Sequence, residues 1–166
     1  MFSDTVLEKI DREVAKYPAD RKQSAVMAAL AIAQDEVGWL APEVMDFVAT
    51  YLGMPAVAVY EVASFYEMYN RRPVGKYKIT ICTNLPCALQ DAVQSAEYLK
   101  QKLGIGFGET TPDGLVTLKE GECFGACGDA PVLLVNNKRM CSAMRAPELD
   151  ALIAEFQAAD KGDGHR

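Results

Sequence analysis

The chain has 166 residues, of which 50% are hydrophobic and 24% are charged, a balance typical of a globular protein with one domain or two small ones. A formal net charge of -6 and the lack of basic runs exclude a typical nucleic-acid-binding protein. The longest wholly apolar run, residues 25–33, is about half of the roughly 20 residues that a membrane helix needs, so we expect no direct membrane insertion.

The N-terminus carries acidic residues where targeting signals carry basic or apolar ones. Asp4 and Glu8 lie in the first turns of a predicted helix. This pattern fits neither a secretory signal nor an Arg-rich, acid-poor transit peptide. The sequence therefore predicts a cytosolic protein.

Residues 1–72 have the pattern of a small helical bundle. Apolar residues recur at helical spacing, prolines stand where helices start, and glycines stand where they stop. The predicted helices run from Asp4 to Tyr17, from Ala19 or Arg21 to Glu36, from Pro42 to Gly53, and from Pro55 through Tyr66. Short connections between them predict neighbouring, packed helices.

Beyond Arg71 the pattern changes to strands alternating with helices. The predicted strands are Tyr77–Cys82, Leu115–Lys119, Val132–Val135 and Lys138–Ser142, and the predicted helices are Pro86–Leu103 and one that begins at Pro147. Asn136 and Asn137 tolerate the tight turn of a hairpin. The order βαβ-ββα predicts a thioredoxin-like α/β domain over residues 73–160, followed by a flexible tail, 161–166. With the helical bundle, the expected class is α+β or α/β.

Five cysteines are the sharpest chemical signal in the sequence: Cys82, Cys87, Cys123, Cys127 and Cys141. Because no export signal is present, metal or redox chemistry is a better expectation than disulfides. The single histidine is His165, in the predicted tail. An internal site therefore has no imidazole, which excludes Cys/His zinc fingers, Rieske centres and Ser-His-Asp triads.

Four of the cysteines form two close pairs that follow predicted strands. Cys82 and Cys87 are spaced C-x4-C in CTNLPC, and Cys123 and Cys127 are spaced C-x3-C in ECFGACGDAP. Ligands of open α/β sheets bind beyond the carboxyl ends of the strands. We therefore expect the two pairs to meet at one edge of the sheet.

Three kinds of site fit four thiols without histidine. A [2Fe–2S] cluster has two irons that each need two thiolates, which matches two pairs on two loops. A structural zinc site with four cysteines is the second alternative. A dithiol redox site is the third, although it usually needs a C-x-x-C motif that this chain lacks. Glycines at 121, 125 and 128 would let backbone N–H groups approach the sulfurs.

Other residues near the cysteines, and one aromatic group, have two interpretations each. Cys141 lies in a predicted strand, where a small buried hydrophobe is the expected role. The loop acids either lower a cluster's reduction potential or simply solvate a surface loop: Asp91, Glu120, Glu122 and Asp129. The aromatic residues either belong to the helical core or face a partner subunit: Phe65, Tyr66 and Tyr69.

The two cysteine motifs resemble the signature of the 24 kDa subunit family of respiratory complex I, the bacterial NADH-quinone oxidoreductase. The resemblance extends to KQSAVMAALAIAQDEVGWL and to EVASFYEMY before RRPVGKY, and so covers nearly the whole chain. It implies a helical bundle followed by a thioredoxin-like domain that holds one [2Fe–2S] cluster. By position in the motifs, Cys82 and Cys87 would ligate one iron, and Cys123 and Cys127 the other.

The resemblance also implies a role within a complex rather than catalysis by the chain alone. The cluster would exchange single electrons with FMN in a partner subunit that binds NADH, beside a further iron–sulfur subunit. Such a complex lies on the cytoplasmic side of the bacterial inner membrane. The sequence has no G-x-G-x-x-G motif and no phosphate loop, so we expect FMN and NADH to be bound by the partner.

Two alternatives stay open at this point. One keeps the same cluster in a small diaphorase subunit of an NAD-linked hydrogenase or formate dehydrogenase. The other is a structural adaptor stabilised by zinc on four cysteines, which would unfold when the metal is removed.

Overall fold

The computed structural model describes residues 2–163, in which the chain divides into a helical unit up to Pro73 and a unit with a sheet from Val74. None of the helices in this described range is both long and apolar enough to cross a membrane. Met1 and residues 164–166, with His165 of the expected tail, lie outside the described residues.

A proline or a glycine lies at one or both ends of the second, third and fourth α-helices of the first unit as predicted, whereas the first helix ends at Val14, three residues before the expected end at Tyr17. Its elements are α1 (Asp4–Val14), a 3₁₀ helix (Ala19–Ala25), α2 (Val26–Val37), α3 (Pro42–Leu52) and α4 (Ala56–Phe65). Pro42 occupies the first turn of α3, and Gly53 ends it in the left-handed conformation, with φ of 65°. The third and fourth helices are therefore confirmed.

The second predicted helix begins later than expected. Ala19–Ala25 forms a 3₁₀ helix, and α2 starts only at Val26. Arg21 has φ of -125° and ψ of 21°, outside the helical region, so the segment after Pro18 does not continue into one α-helix. Gly38 ends α2 with φ of 85°, as the sequence predicted.

A buried glutamine fixes the chain that leaves the helical unit. Gln34 of α2 donates from its side-chain amide to the carbonyl oxygen of Met68 at 3.0 Å, and its amide oxygen accepts from the backbone N–H of Asn70. The carbonyl oxygen of Asn70 in turn accepts from the backbone N–H of Leu40 at 2.7 Å. These bonds satisfy buried polar groups that would otherwise be costly.

The aromatic group around the end of α4 is only partly buried. Tyr69 is buried in the helical core, and its hydroxyl donates to the carbonyl oxygen of Met27 at 2.8 Å. Phe65 is 79% exposed and Tyr66 is 40% exposed. Only Tyr69 therefore belongs to the core.

The second unit is built on a four-stranded mixed sheet. Its strands are β1 (Tyr77–Cys82), β2 (Val116–Gly121), β3 (Leu133–Val135) and β4 (Arg139–Cys141), in the spatial order β2-β1-β3-β4. β1 pairs parallel with β2 and antiparallel with β3, which pairs antiparallel with β4. Asn136 and Asn137 both have positive φ, of 51° and 59°, as a tight hairpin turn requires. The order and the directions of the four strands confirm the predicted thioredoxin-like fold.

The helix predicted over Pro86–Leu103 is two helices. α5 (Leu85–Ala88) is a single turn, and α6 (Ala92–Leu103) follows it. Asp91 separates them with φ of 68°, a left-handed conformation that aspartate tolerates better than most residues. The prediction of one continuous helix was therefore wrong, and the break leaves α5 as a separate support for Cys87.

The final helix, α7 (Ala146–Asp163), packs against the sheet together with α6. The residues predicted for its apolar face are all buried: Leu149, Leu152, Ile153 and Phe156. The rings of Phe156 and Tyr77 stack with centroids 3.9 Å apart. α7 extends through Asp163, three residues past the expected boundary at 160, although Gly162 is a poor helix former.

Replacing Tyr69 with phenylalanine tests the buried hydroxyl of the helical unit. The variant removes the hydrogen bond from the hydroxyl to the Met27 carbonyl oxygen, and we expect a free energy of unfolding lower by about 1 kcal/mol in urea titrations. Burial also raises the pKa of Tyr69 from 10.0 to about 12.

The same variant should change the pH dependence of stability. Because the folded state holds the Tyr69 proton more tightly, its stabilisation is complete below about pH 10 and is lost as pH rises through about 12. The unfolding free energy of Tyr69→Phe should therefore decline less steeply across this range. An equal slope of the unfolding free energy against pH in both proteins would contradict the raised pKa of Tyr69.

Candidate metal centre

The parallel pairing of β1 and β2 brings the two cysteine loops to one edge of the sheet. Cys82, the last residue of β1, lies opposite Gly121, the last residue of β2. The backbone N–H of Thr83 donates to the carbonyl oxygen of Gly121 at 3.2 Å, so the loops leave the sheet side by side. The predicted meeting of the two loops is confirmed.

The first pair of cysteines is buried. Cys82 ends the central strand, and Cys87 lies in α5, each with 1% of its surface exposed. Ala92 and Val132 pack against them in a small apolar cluster. This pair is therefore shielded from water.

The second pair is exposed and already at metal-ligand spacing. The sulfurs of Cys123 and Cys127 are 3.8 Å apart, and both residues are exposed. Two thiolates on one tetrahedral metal at about 2.3 Å also lie about 3.8 Å apart. Gly125 donates its backbone N–H to the Cys123 sulfur at 3.3 Å and has φ of 76°, so a side chain there would strain the loop.

Electrostatic interactions link the four thiols across the two loops. Burial raises the pKa of Cys82, and the thiols of Cys87 and Cys123 raise it further, while the backbone N–H of Asn84 at the sulfur lowers it. The hydrogen bond between the Cys127 and Cys123 thiols raises the pKa of Cys127, and Cys82 adds to this effect. Thiolates are the form that binds metal, so ligation must displace these protons.

The thiols are arranged as two pairs. No three histidine, cysteine or acidic side chains within residues 2–163 are grouped closely enough to share a single metal ion. Cys82 is the last residue of β1 and Cys87 lies in α5, whereas Cys123 and Cys127 follow β2. This donor set, four thiols in pairs with a backbone N–H at one sulfur of each pair, fits a centre that holds two metal ions.

Two side-chain hydrogen bonds hold the cysteine loops together. The hydroxyl of Thr83 donates to the carboxylate of Glu120 at 2.7 Å. The side-chain amide of Asn84 donates to the carboxylate of Glu122 at 2.9 Å. Each bond joins a residue of the first loop to one beside the second. In the sequence the two glutamates stand out only as charges, and neither Thr83 nor Asn84 carries a signal of its contact.

Gly121 is required by close packing at the start of the second loop. A Cβ atom there would lie 2.6 Å from Cζ of Phe124 and 2.7 Å from Cγ2 of Thr80. Phe124 packs on the apolar cluster around the buried cysteines. Gly121 therefore lets the second loop cover the first pair, a role different from the N–H donation that the sequence suggested for it.

Cys141 lies apart from the four loop cysteines. It is the last residue of β4, pairs with Leu133 and is buried in the main core of the second unit. Burial raises the pKa of its thiol, although the charge of Arg139 opposes the effect. Its predicted role as a small buried hydrophobe is confirmed.

Comparison with known proteins links the chain to iron–sulfur proteins. Residues 10–157 match the family described as thioredoxin-like [2Fe-2S] ferredoxin. NADH-quinone oxidoreductase subunit 2 of Thermus thermophilus is 38% identical over 160 residues, which are 96% of this chain and 88% of that protein. An NADH-quinone oxidoreductase subunit of Rhizobium meliloti is 43% identical over 157 residues, 95% of this chain and 92% of that protein.

A solved structure shares the fold over most of the chain. The NAD+-reducing [NiFe]-hydrogenase in the air-oxidized state aligns with a TM-score of 0.68 and 23% sequence identity over 82% of this chain. The alignment covers 24% of the hydrogenase chain, so this fold is about a quarter of that longer chain. At this identity the likeness concerns the fold.

A pair of glycine variants tests the packing of the second cysteine loop. Gly121→Ala must displace Phe124 or Thr80, and we expect it to lower the free energy of unfolding by about 1–3 kcal/mol. Gly128→Ala is the matched control in the same loop, because its Cβ would meet no atom within 4 Å. Urea unfolding of both variants measures the difference. Equal stabilities would show that the loop is not packed as described.

Proposed function

The chain belongs to the thioredoxin-like [2Fe–2S] ferredoxin family, and we propose that it holds one [2Fe–2S] cluster on the thiols of its two cysteine loops. The proposed ligands of one iron are Cys82 and Cys87, and those of the other are Cys123 and Cys127. The observation that carries the proposal is the arrangement of four thiols in two pairs at the ends of two adjacent parallel strands. Each iron of such a cluster needs two thiolates.

The residues around the thiols fit an anionic centre. When bound, a [2Fe–2S] cluster supplies reversible one-electron reduction. The backbone N–H of Gly125 donates to the Cys123 sulfur at 3.3 Å, and the backbone of Asn84 lowers the pKa of Cys82, so both favour negative charge on sulfur. The buried pair excludes water from one side, and the bonds from Thr83 and Asn84 to the glutamates fix the separation of the loops.

The proposed biological role is electron transfer within an NADH-quinone oxidoreductase. Relatives with that name are 38% and 43% identical over nearly the whole chain. In this proposal the chain is an electron-transfer subunit that exchanges single electrons with the FMN of a partner subunit that binds NADH. A further iron–sulfur subunit completes the assembly, which is peripheral on the cytoplasmic side of the inner membrane.

The two alternatives are less well supported. A diaphorase subunit of an NAD-linked hydrogenase or formate dehydrogenase keeps the cluster, but its support is a likeness of fold at 23% identity. A zinc adaptor needs four ligands around one ion, whereas the thiols here are arranged in pairs.

Metal analysis of cysteine variants tests the proposed cluster. We expect the anaerobically purified chain to be red-brown, with about two irons and two sulfides per chain. Cys127→Ala should lose the visible absorbance, because it removes half of one iron's proposed ligand pair. Cys141→Ala is the control and should keep it, since Cys141 lies in the core of the sheet. A colourless chain with one zinc, unchanged by attempts to rebuild a cluster, would favour the adaptor.

Charge-neutralising variants test the role of the loop acids. Carboxylates near a cluster disfavour the added electron, so Glu122→Gln with Asp129→Asn should raise the reduction potential. Glutamine at 122 keeps an oxygen that accepts the Asn84 amide, and the loop contact is retained. Asp113→Asn removes one negative charge before the opposite end of β2 and serves as the control. An equal potential in all proteins would assign the acids to solvation alone.

A further inference from the structure

The end of α4 and the segment that follows it expose two aromatic rings. Phe65, the last residue of α4, is 79% exposed, and Tyr66, the next residue, is 40% exposed. The two rings pack edge to face, with centroids 5.0 Å apart and planes at 77° to each other. Met68 adds a third apolar side chain that is 37% exposed. Exposed apolar side chains that cluster, rather than lie singly, mark interaction sites.

Buried hydrogen bonds hold this segment in one conformation. Gln34 of α2 bonds through its side-chain amide to the backbone of Met68 and of Asn70. The Tyr69 hydroxyl donates to the carbonyl oxygen of Met27. Three consecutive residues of the segment are therefore anchored, while the two rings just before them are exposed. Because the segment is already ordered, a partner that binds there pays little for its conformational entropy.

Two arginines follow the anchored residues. Arg71 and Arg72 are both exposed, and neither side chain makes a hydrogen bond or an ion pair with any residue in the described range 2–163. Aromatic residues and arginine are enriched in protein interfaces, and tyrosine and arginine are frequent among the residues that contribute most to binding. We name residues 65–72 the aromatic–arginine segment.

We propose that the aromatic–arginine segment docks a partner protein whose surface has an apolar recess bordered by aspartate or glutamate. Phe65 and Tyr66 enter the recess, and the two guanidinium groups pair with the carboxylates at its border. This inference rests on the proposed function, since it assigns to the helical unit a contact with a neighbouring subunit of the proposed assembly.

Charge favours a different protein over a second copy of the chain on this segment. A second copy placed symmetrically there would bring its own Arg71 and Arg72 against the first pair. Opposed like charges disfavour that arrangement. An acidic partner instead offers carboxylates to both guanidinium groups, and this attraction weakens as salt is added.

Binding of a double variant tests the aromatic anchors. Full-length Phe65→Gln/Tyr66→Gln and the native chain are each titrated with two purified proteins, the flavin-binding subunit and the further iron–sulfur subunit of the same organism's NADH-quinone oxidoreductase. We expect the variant to raise the Kd for at least one of them by about tenfold or more. Tyr17→Gln, at a tyrosine that is 42% exposed beyond the end of α1, is the matched control and should change neither Kd. An equal rise in the control would overturn the proposal.

Removal of the arginines tests the predicted acidic border. Arg71→Gln/Arg72→Gln should raise the same Kd and make its increase with ionic strength less steep. Arg21→Gln/Lys22→Gln is the control, because it removes two exposed positive charges elsewhere in the same unit and should keep the salt dependence of the native chain. An arginine variant with the native salt dependence would contradict an acidic border.

Light scattering tests the other occupant of the segment. We expect the native chain and the aromatic double variant to have the same mass in solution. A native dimer that Phe65→Gln/Tyr66→Gln abolishes would assign the segment to a second copy of the chain and overturn docking of a different protein.

Urea unfolding and visible absorbance of the same samples separate this proposal from the proposed function. The variants should keep the native free energy of unfolding and the native absorbance, because the replaced side chains are exposed. A variant that binds weakly and is also less stable would assign the segment to folding and overturn docking. A native chain that holds iron and binds, with a Kd that neither variant changes, would overturn docking alone. A native chain that binds neither subunit would refute the proposed complex together with docking, whereas a colourless chain that binds through the rings would refute only the cluster.

Discussion

The candidate centre depends above all on the register of two parallel strands. Because Cys82 lies opposite Gly121, the loops that follow β1 and β2 begin at the same height on the same sheet edge. A slip of one residue would turn Cys82 to the other face of the sheet. Parallel neighbouring strands also need a crossover connection, and Cys87 lies in α5, at the start of that connection. The pairing of β1 with β2 therefore positions both cysteine loops and α5.

Opposing electrostatic effects meet at this edge. The backbone groups of Asn84 and Gly125 favour charge on two sulfurs, whereas in the proposed cluster the loop carboxylates would oppose further negative charge. Glu120 and Glu122 serve both purposes, because each also holds the first loop through a hydrogen bond. Replacing either by a residue without an acceptor would thus change charge and loop geometry together, and only an amide separates the two effects.

Local patterns predicted the parts of the fold that local interactions determine. The strand Tyr77–Cys82 was confirmed residue for residue, because its β-branched alternation has no competing pattern. The break at Asp91 was missed, since a left-handed aspartate leaves no sequence signal as strong as glycine or proline. The Thr83–Glu120 contact was also missed, because it depends on strand register between residues 37 positions apart. Polar residues beside both cysteine pairs were the only available signal.

Burial divides the four thiols in a way that bears on function. Cys82 and Cys87 are shielded by the chain's own apolar cluster, whereas Cys123 and Cys127 face outward. A chain that needed its metal only for stability would gain from shielding both pairs, since exposure leaves the centre open to solvent. Leu85 and Leu89, on the helical turn that carries Cys87, are also exposed. An open edge of this kind suits the proposed centre, because another protein could approach it.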